Sequence, residues 1–212
     1  MNGKFITFEG SDKAGKSTQF YLTVNYLTSE RIDFTSIREP GGDPLSEKVR
    51  TLLLDPENEI EDLTELFLYE AARANLVRRV IMPSLREGKV VICDRYTDST
   101  TAYQAYGRGL DLDIVTALND WATDGIYPEL TLLCLDRFAQ EDGTRLENAG
   151  DGFRRRVEEG YQILAERETQ RIKIVRTIPG ATAEESIQRT FEESTLPYIK
   201  ECLKTFLNNS PL

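Results

Sequence analysis

Residues 5–18 read FITFEGSDKAGKST, and the reading of this stretch decides the fold. Residues 5–8 form a short apolar, partly β-branched run of the kind that builds a strand buried on both faces. Gly10-Ser11-Asp12-Lys13-Ala14-Gly15-Lys16-Ser17 follows and fits the pattern G-x-x-x-x-G-K-[ST]. A helical stretch, 16–28, comes next. A chance match to the pattern in a chain of this length has odds on the order of one per cent. Strand, glycine-rich turn and helix make a phosphate cradle: glycines let the backbone approach phosphate oxygens, and the helix start presents N–H groups and a positive dipole end. Gly10, Ser11, Asp12, Lys13, Ala14, Gly15, Lys16, Ser17 and Thr18 are the expected nucleotide contacts. Lys16 supplies a point charge and Ser17 a ligand for Mg2+. The chain contains no Asn-Lys-x-Asp guanine signature, so ATP is the expected nucleotide.

Outward from this point the same alternation repeats. Further short apolar runs at 34–37, 90–93, 130–135 and 172–175 are separated by amphipathic segments. Asp43-Pro44 reads as an N-cap with proline at the first helical position. A long amphipathic stretch over 64–87 contains Pro83, a kink signal, and stops at Gly88. Segments 111–123 and 151–167 continue the pattern. Thr182 with Glu185 forms a capping box for the last helical region, which Pro197 is expected to break. This predicts an α/β fold, a five-stranded parallel sheet flanked by helices, with ligands at the carboxyl ends of its strands, in one domain over 1–212. The third strand ends at Asp94, a position suited to holding Mg2+ or to capping the next helix.

Composition restricts the chemistry. The 212 residues include no histidine, which removes imidazole bases, nucleophilic triads and imidazole metal ligands. A net charge of −10 argues against nucleic acid and membrane surfaces as partners, while five cations against one acid between Arg73 and Lys89 allow a local anion site. Cys93, Cys134 and Cys202 have no metal-binding spacing, and a disulfide framework is not expected. The start of the chain lacks a signal-peptide pattern, and no apolar run reaches membrane-spanning length, so a cytoplasmic location is expected.

Four stretches in order, FEGSDKAGKSTQ at 8–19, TSIREPGGD at 35–43, YEAAR at 69–73 and ICDRYTDSTTAYQAYG at 92–107, resemble the thymidylate kinase family. The resemblance implies transfer of the γ-phosphate of ATP to dTMP, with Mg2+, in a homodimer packed through helices. It implies that Arg38 and Arg95 clamp the acceptor phosphate and that Arg73 hydrogen-bonds the thymine ring. Tyr69 stands where the family usually stacks a phenylalanine on the base, and Phe67 reads as a core residue. Tyr103 matches the tyrosine against the sugar, and Thr100 and Gln104 match the base-edge contacts. Asp12 resembles the carboxylate near the acceptor 3′-OH, and Lys13 stands where one branch carries an arginine.

The family's Arg-rich lid is matched only by a short segment, 137–152, in which Arg145 is the expected catalytic cation. Arg154, Arg155 and Arg156 read as a solvated helix face. The abbreviated lid leaves a nucleotide-binding regulator with weak catalysis as an alternative, beside a kinase of another deoxynucleotide such as dUMP.

Overall fold

A computed structural model describes residues 2–11, 13–135 and 150–207. Five strands, β1 (Lys4–Gly10), β2 (Phe34–Arg38), β3 (Val90–Asp94), β4 (Leu130–Cys134) and β5 (Ile172–Val175), pair in the order β2-β3-β1-β4-β5. Every pairing is parallel, so all the strands end at the same edge of the sheet. β1 is central and almost entirely buried, as its unbroken apolar run requires. Its side chains alternate between faces. Ile6 and Phe8 join a core with Phe20 and Leu27 of α1 (Lys16–Ser29) and Ile199 and Leu203 of α9 (Leu196–Leu207). Phe5 joins a second core under α3 (Asp62–Leu76) and α4 (Met82–Arg86). Thr7 and Glu9 share Phe5's face and are fully buried, so that face turns polar toward its carboxyl end.

Local signals act as the sequence suggests in several places. The Asp43 side chain accepts from the N–H groups of Leu45 and Ser46 and starts α2 (Pro44–Leu54). Thr182 accepts from Glu185 N at 3.1 Å and starts α8 (Ala183–Thr190), whereas the Glu185 carboxylate reaches Ala181 N at 2.6 Å. Asp111 caps α6 (Leu112–Thr123), and α7 spans Asp151–Arg167.

One proline behaves differently from expectation. Pro197 does not end its helix: a π-helical stretch, Phe191–Thr195, precedes it and α9 continues through it. Pro83 has the same arrangement, following a π-helical stretch at Val77–Ile81. Widening the turn before a proline accommodates both the missing N–H and the ring's clash with the carbonyl one turn earlier. Phe67 is 51% exposed and not a core residue, because it lies on the face of α3 turned away from the sheet. In the arginine run Arg155 and Arg156 are exposed and Arg154 is half-buried, as a solvated face requires, and Arg156 also donates to Gly107 O at 2.7 and 3.0 Å.

After β3 the chain forms α5 (Thr97–Thr100) and a third π-helical stretch, Thr101–Gly107, which packs against α7. The approach is close at Gly160, where an added Cβ would meet Tyr106 ring and Cβ atoms at 2.8 to 2.9 Å. Gly160→Ala is therefore expected to destabilise the protein by about 1–3 kcal/mol through overpacking, measured by urea unfolding. An unchanged midpoint would show that the helix and the stretch can separate freely.

Candidate functional site

A cavity of about 860 Å3 opens where the strands end, and residues following all five strands line it. The turn after β1 forms its floor. Gly10 has φ +136°, and a Cβ there would lie 2.0 Å from the carbonyl oxygen of Cys134 in the neighbouring strand, so no side chain fits. Gly15, at φ 79°, precedes α1 and offers no side-chain cap, which leaves the helix start to accept an outside anion. Lys16 is 8% exposed and its Nζ donates to Asp94 Oδ1 at 2.6 Å. This contact ties the loop after β1 to the end of β3. Asp94 and Ser17 offer a carboxylate and a hydroxyl beside a phosphate cradle, a donor set that suits Mg2+, which binds few protein ligands together with phosphate oxygens.

Sheet order places the segments after β3 and β5 on opposite sides of this loop. On the β3 side, Tyr69, Arg73, Arg95, Thr100, Tyr103 and Gln104 all line the cavity. On the β5 side lie Val175, Thr177, Pro179, Ala183 and Ile187, which sequence reasoning did not single out. Their only sequence signal is position after the last strand. Lys13 lines the cavity with backbone φ 65°. Asp12 and Arg145 lie outside the described residues, as does nearly all of the expected lid.

Two expected contacts have a different setting. Arg38 sits at the end of β2 beside Asp94 in register, but its guanidinium is 55% exposed, pairs with Glu47 at 3.1 Å and is not on the cavity wall. Arg50 of α2 lines the wall instead and donates to Pro40 O at 2.9 Å. Burial first and Arg38 second lower its pKa, partly offset by Glu47. Arg73 reaches the wall but is 2% exposed. Its Nε donates to Glu39, Nη1 to Glu70 and Asn119, and Nη2 to Tyr96 O, all within 3.1 Å, and Nη2 also lies 2.8 Å from Glu39. Burial alone would lower the Arg73 pKa, yet Glu39 and Glu70 hold it above its usual value.

Arg95 is held through hydroxyl groups and an aromatic ring. It has φ 72°, its guanidinium lies 5.2 Å over the Tyr103 ring, and Nη1 donates to Ser99 Oγ and Tyr161 Oη at 3.1 and 3.3 Å. Both hydroxyls also bond Glu9 Oε2, at 2.5 and 3.0 Å, while Glu9 Oε1 accepts from Tyr96 N at 2.6 Å. Glu9, Ser99 and Tyr161 were missed because a glutamate ending an apolar strand and a serine in TDSTT carry no pattern of their own.

A glycine-rich turn between a central parallel strand and a helix, with its lysine held by the carboxylate ending a neighbouring strand, defines a P-loop nucleotide-binding protein. Comparisons with known proteins narrow the class. The family model described as thymidylate kinase matches residues 8–189. A thymidylate kinase from Exiguobacterium sibiricum is 38% identical over 95% of this chain and 98% of its own length, and one from Symbiobacterium thermophilum is 39% identical over 91% and 94%. A crystal structure of thymidylate kinase from Ehrlichia chaffeensis superposes with a TM-score of 0.78 at 34% identity, covering 95% of this chain and 99% of that one. The chain belongs to the thymidylate kinase family.

The Glu9 carboxyl is pushed up to about 7, by burial first and then by Asp98, against the lowering effects of Ser99 and Arg95. Folding therefore takes up a proton between the ordinary value of 4.5 and about 7, and the stability this contributes is present at low pH and lost as pH rises through that window. Relative to Glu9→Gln, the wild-type protein should lose up to about 1.4 kcal/mol per pH unit there, measured by urea unfolding at about pH 5 and pH 7. Equal pH dependence in both proteins would contradict this burial of Glu9.

Proposed function

We propose that the protein transfers the γ-phosphoryl group of Mg·ATP to dTMP, forming dTDP and ADP. The observation that carries this reading is one cavity in which the phosphate cradle and the base- and sugar-side residues Tyr69, Thr100, Tyr103 and Gln104 share a wall. The 5′-phosphate of dTMP lies at Arg95, with Arg50 beside it and Arg38 reaching it on leaving Glu47. The base stacks on Tyr69, and Arg73 contacts it on exchanging one of its present partners. Tyr103 faces the sugar at C2′, with Asp12 toward the 3′-OH. The adenosine end of ATP lies toward Thr177 and Ile187, and its phosphates lie over residues 10–18.

No protein base is needed. A phosphate monoester has its second pKa near ~6 and arrives ionised at neutral pH, which suits a chain without histidine. An acceptor phosphate oxygen attacks the γ-phosphorus, the new P–O bond forms as the bond to the β–γ bridging oxygen breaks, and ADP leaves with that electron pair. Lys16 and Arg95, with Lys13 and Arg145, hold the two anions together and neutralise charge. Asp94 and Ser17 hold Mg2+, which when bound offsets charge on the β- and γ-phosphates.

A homodimer suits the surface: Leu63 and Phe67 of α3, Ile114 and Trp121 of α6 and Leu45 and Leu52 of α2 are each at least half exposed on helices that pack on one another. Among the described residues no helix is long and apolar enough to cross a membrane, and Cys93, Cys134 and Cys202 form no disulfide with one another; the cytoplasm is the proposed location. The relatives' names favour dTMP over the dUMP and regulator readings.

A coupled ADP-release assay over the nucleoside monophosphates tests the proposal. Turnover should be fastest with dTMP, and Lys16→Ala should lower it by at least about 100-fold. Near-wild-type dTDP formation by this variant would reject the mechanism.

A further inference from the structure

Behind the cavity wall, Glu65 of α3 is fully buried, and both its carboxyl oxygens accept hydrogen bonds. Arg108 grips it with two bonds, Nε to Oε1 at 3.2 Å and Nη2 to Oε2 at 3.0 Å. Arg108 itself is anchored by Asp62 at 3.1 Å and by the Phe153 ring, 4.7 Å beneath its guanidinium. Gln104 also reaches this carboxyl group, its Nε2 donating to Glu65 Oε1 at 2.9 Å.

An amide can be turned end for end at little cost when its surroundings are indifferent. These are not. Both Glu65 oxygens already accept from Arg108 N–H groups, so turning Gln104 over would press two acceptor oxygens together in a buried place. The two-bond pairing of Glu65 with Arg108 therefore dictates that the amide nitrogen faces inward, and the carbonyl oxygen is left for the cavity that Gln104 lines.

We infer that Glu65 is a specificity-determining positioning residue, which makes the base pocket present a hydrogen-bond acceptor and so selects pyrimidines with a protonated ring N3 over cytosine. The inference rests on the proposed placement of the base at Gln104. Thymine and uracil carry an N3–H that can donate to the Gln104 oxygen. Cytosine presents a lone pair at N3, and the two acceptors would meet unpaired. Arg73 reaches the base only by exchanging one of its present protein acceptors, whereas Gln104 has its orientation fixed before the base arrives. Glu65 does not reach the cavity, and a sequence reading assigns it only to an acidic helix start.

The test is kcat/KM for dTMP and dCMP in the full chain, in wild type, Glu65→Gln and Glu65→Asp, each checked for folding by urea unfolding. Wild type should favour dTMP by on the order of 100-fold or more. Glutamine at 65 gives up one of the two Arg108 bonds whichever way its amide is turned, and so supports either orientation of Gln104. The dTMP-to-dCMP ratio should contract about tenfold or more, through a higher KM for dTMP, with kcat within a few-fold because the phosphate machinery is untouched. Aspartate, still an acceptor only, should keep the larger ratio. Equal losses for both nucleotides in Glu65→Gln, with the ratio intact, would assign Glu65 a purely structural part and overturn the inference. A wild-type ratio near one would overturn it whether or not the variants fold. Absence of dTMP turnover in wild type would instead reject the underlying function.

Discussion

Parallel pairing of β1 between β3 and β4 is the constraint on which the rest of the molecule depends. It brings the glycine turn of one strand, the Lys16 contact with Asp94 of the next and the segment after β5 to a single edge. The backbone at Gly10 runs so close to Cys134 that only glycine can occupy the position. The chain then turns into α1 with its helix start open toward the cavity. A net charge of −10 and an anion-binding pocket are compatible for this reason: the field in the pocket comes from oriented backbone and a few fixed cations, not from the protein's total charge.

The fixed cations share a design. Arg73 is held by Glu39 and Glu70, Arg95 through hydroxyls by Glu9, Arg108 by Glu65 and Arg171 by Asp98, and in each case the carboxylate side chain is buried. A buried charge without a partner is costly, and a half-satisfied network is worse than an apolar core. These pairs therefore make a poor source of net stability and a good source of position. A guanidinium so gripped cannot relax toward solvent, and an amide against such a carboxylate cannot turn over. The acids that account for part of the chain's negative charge thus organise Arg73, Arg95 and Gln104 on the cavity wall.

Much of this was legible in the sequence because it depends on local rules. Strand runs, the glycine pattern, the Asp43 and Thr182 caps and the span of α7 follow from periodicity and capping chemistry. What escaped were long-range partnerships. Glu9 and Tyr161 lie 152 residues apart, and Arg73 and Asn119 46 apart, so no window of sequence shows that they meet. Phe67 was misplaced because apolar character does not say which face of an amphipathic helix meets the core. The breaking power assigned to Pro197 ignored the option of a widened turn before it. Arg38 shows a further limit: its type and place in a motif were legible, but not the exposed pairing with Glu47 that turns it from the wall.

The central claim is that one cavity holds both nucleotides, end to end, across the loop after β1. Calorimetry with a single molecule joining adenosine and thymidine through a 5′-polyphosphate chain tests it most directly. The account predicts one molecule bound per chain, displaced by ATP and by dTMP alike and more tightly held than either. Binding that excludes only one of the two, while the other still binds at full affinity, would mean that donor and acceptor do not share the cavity.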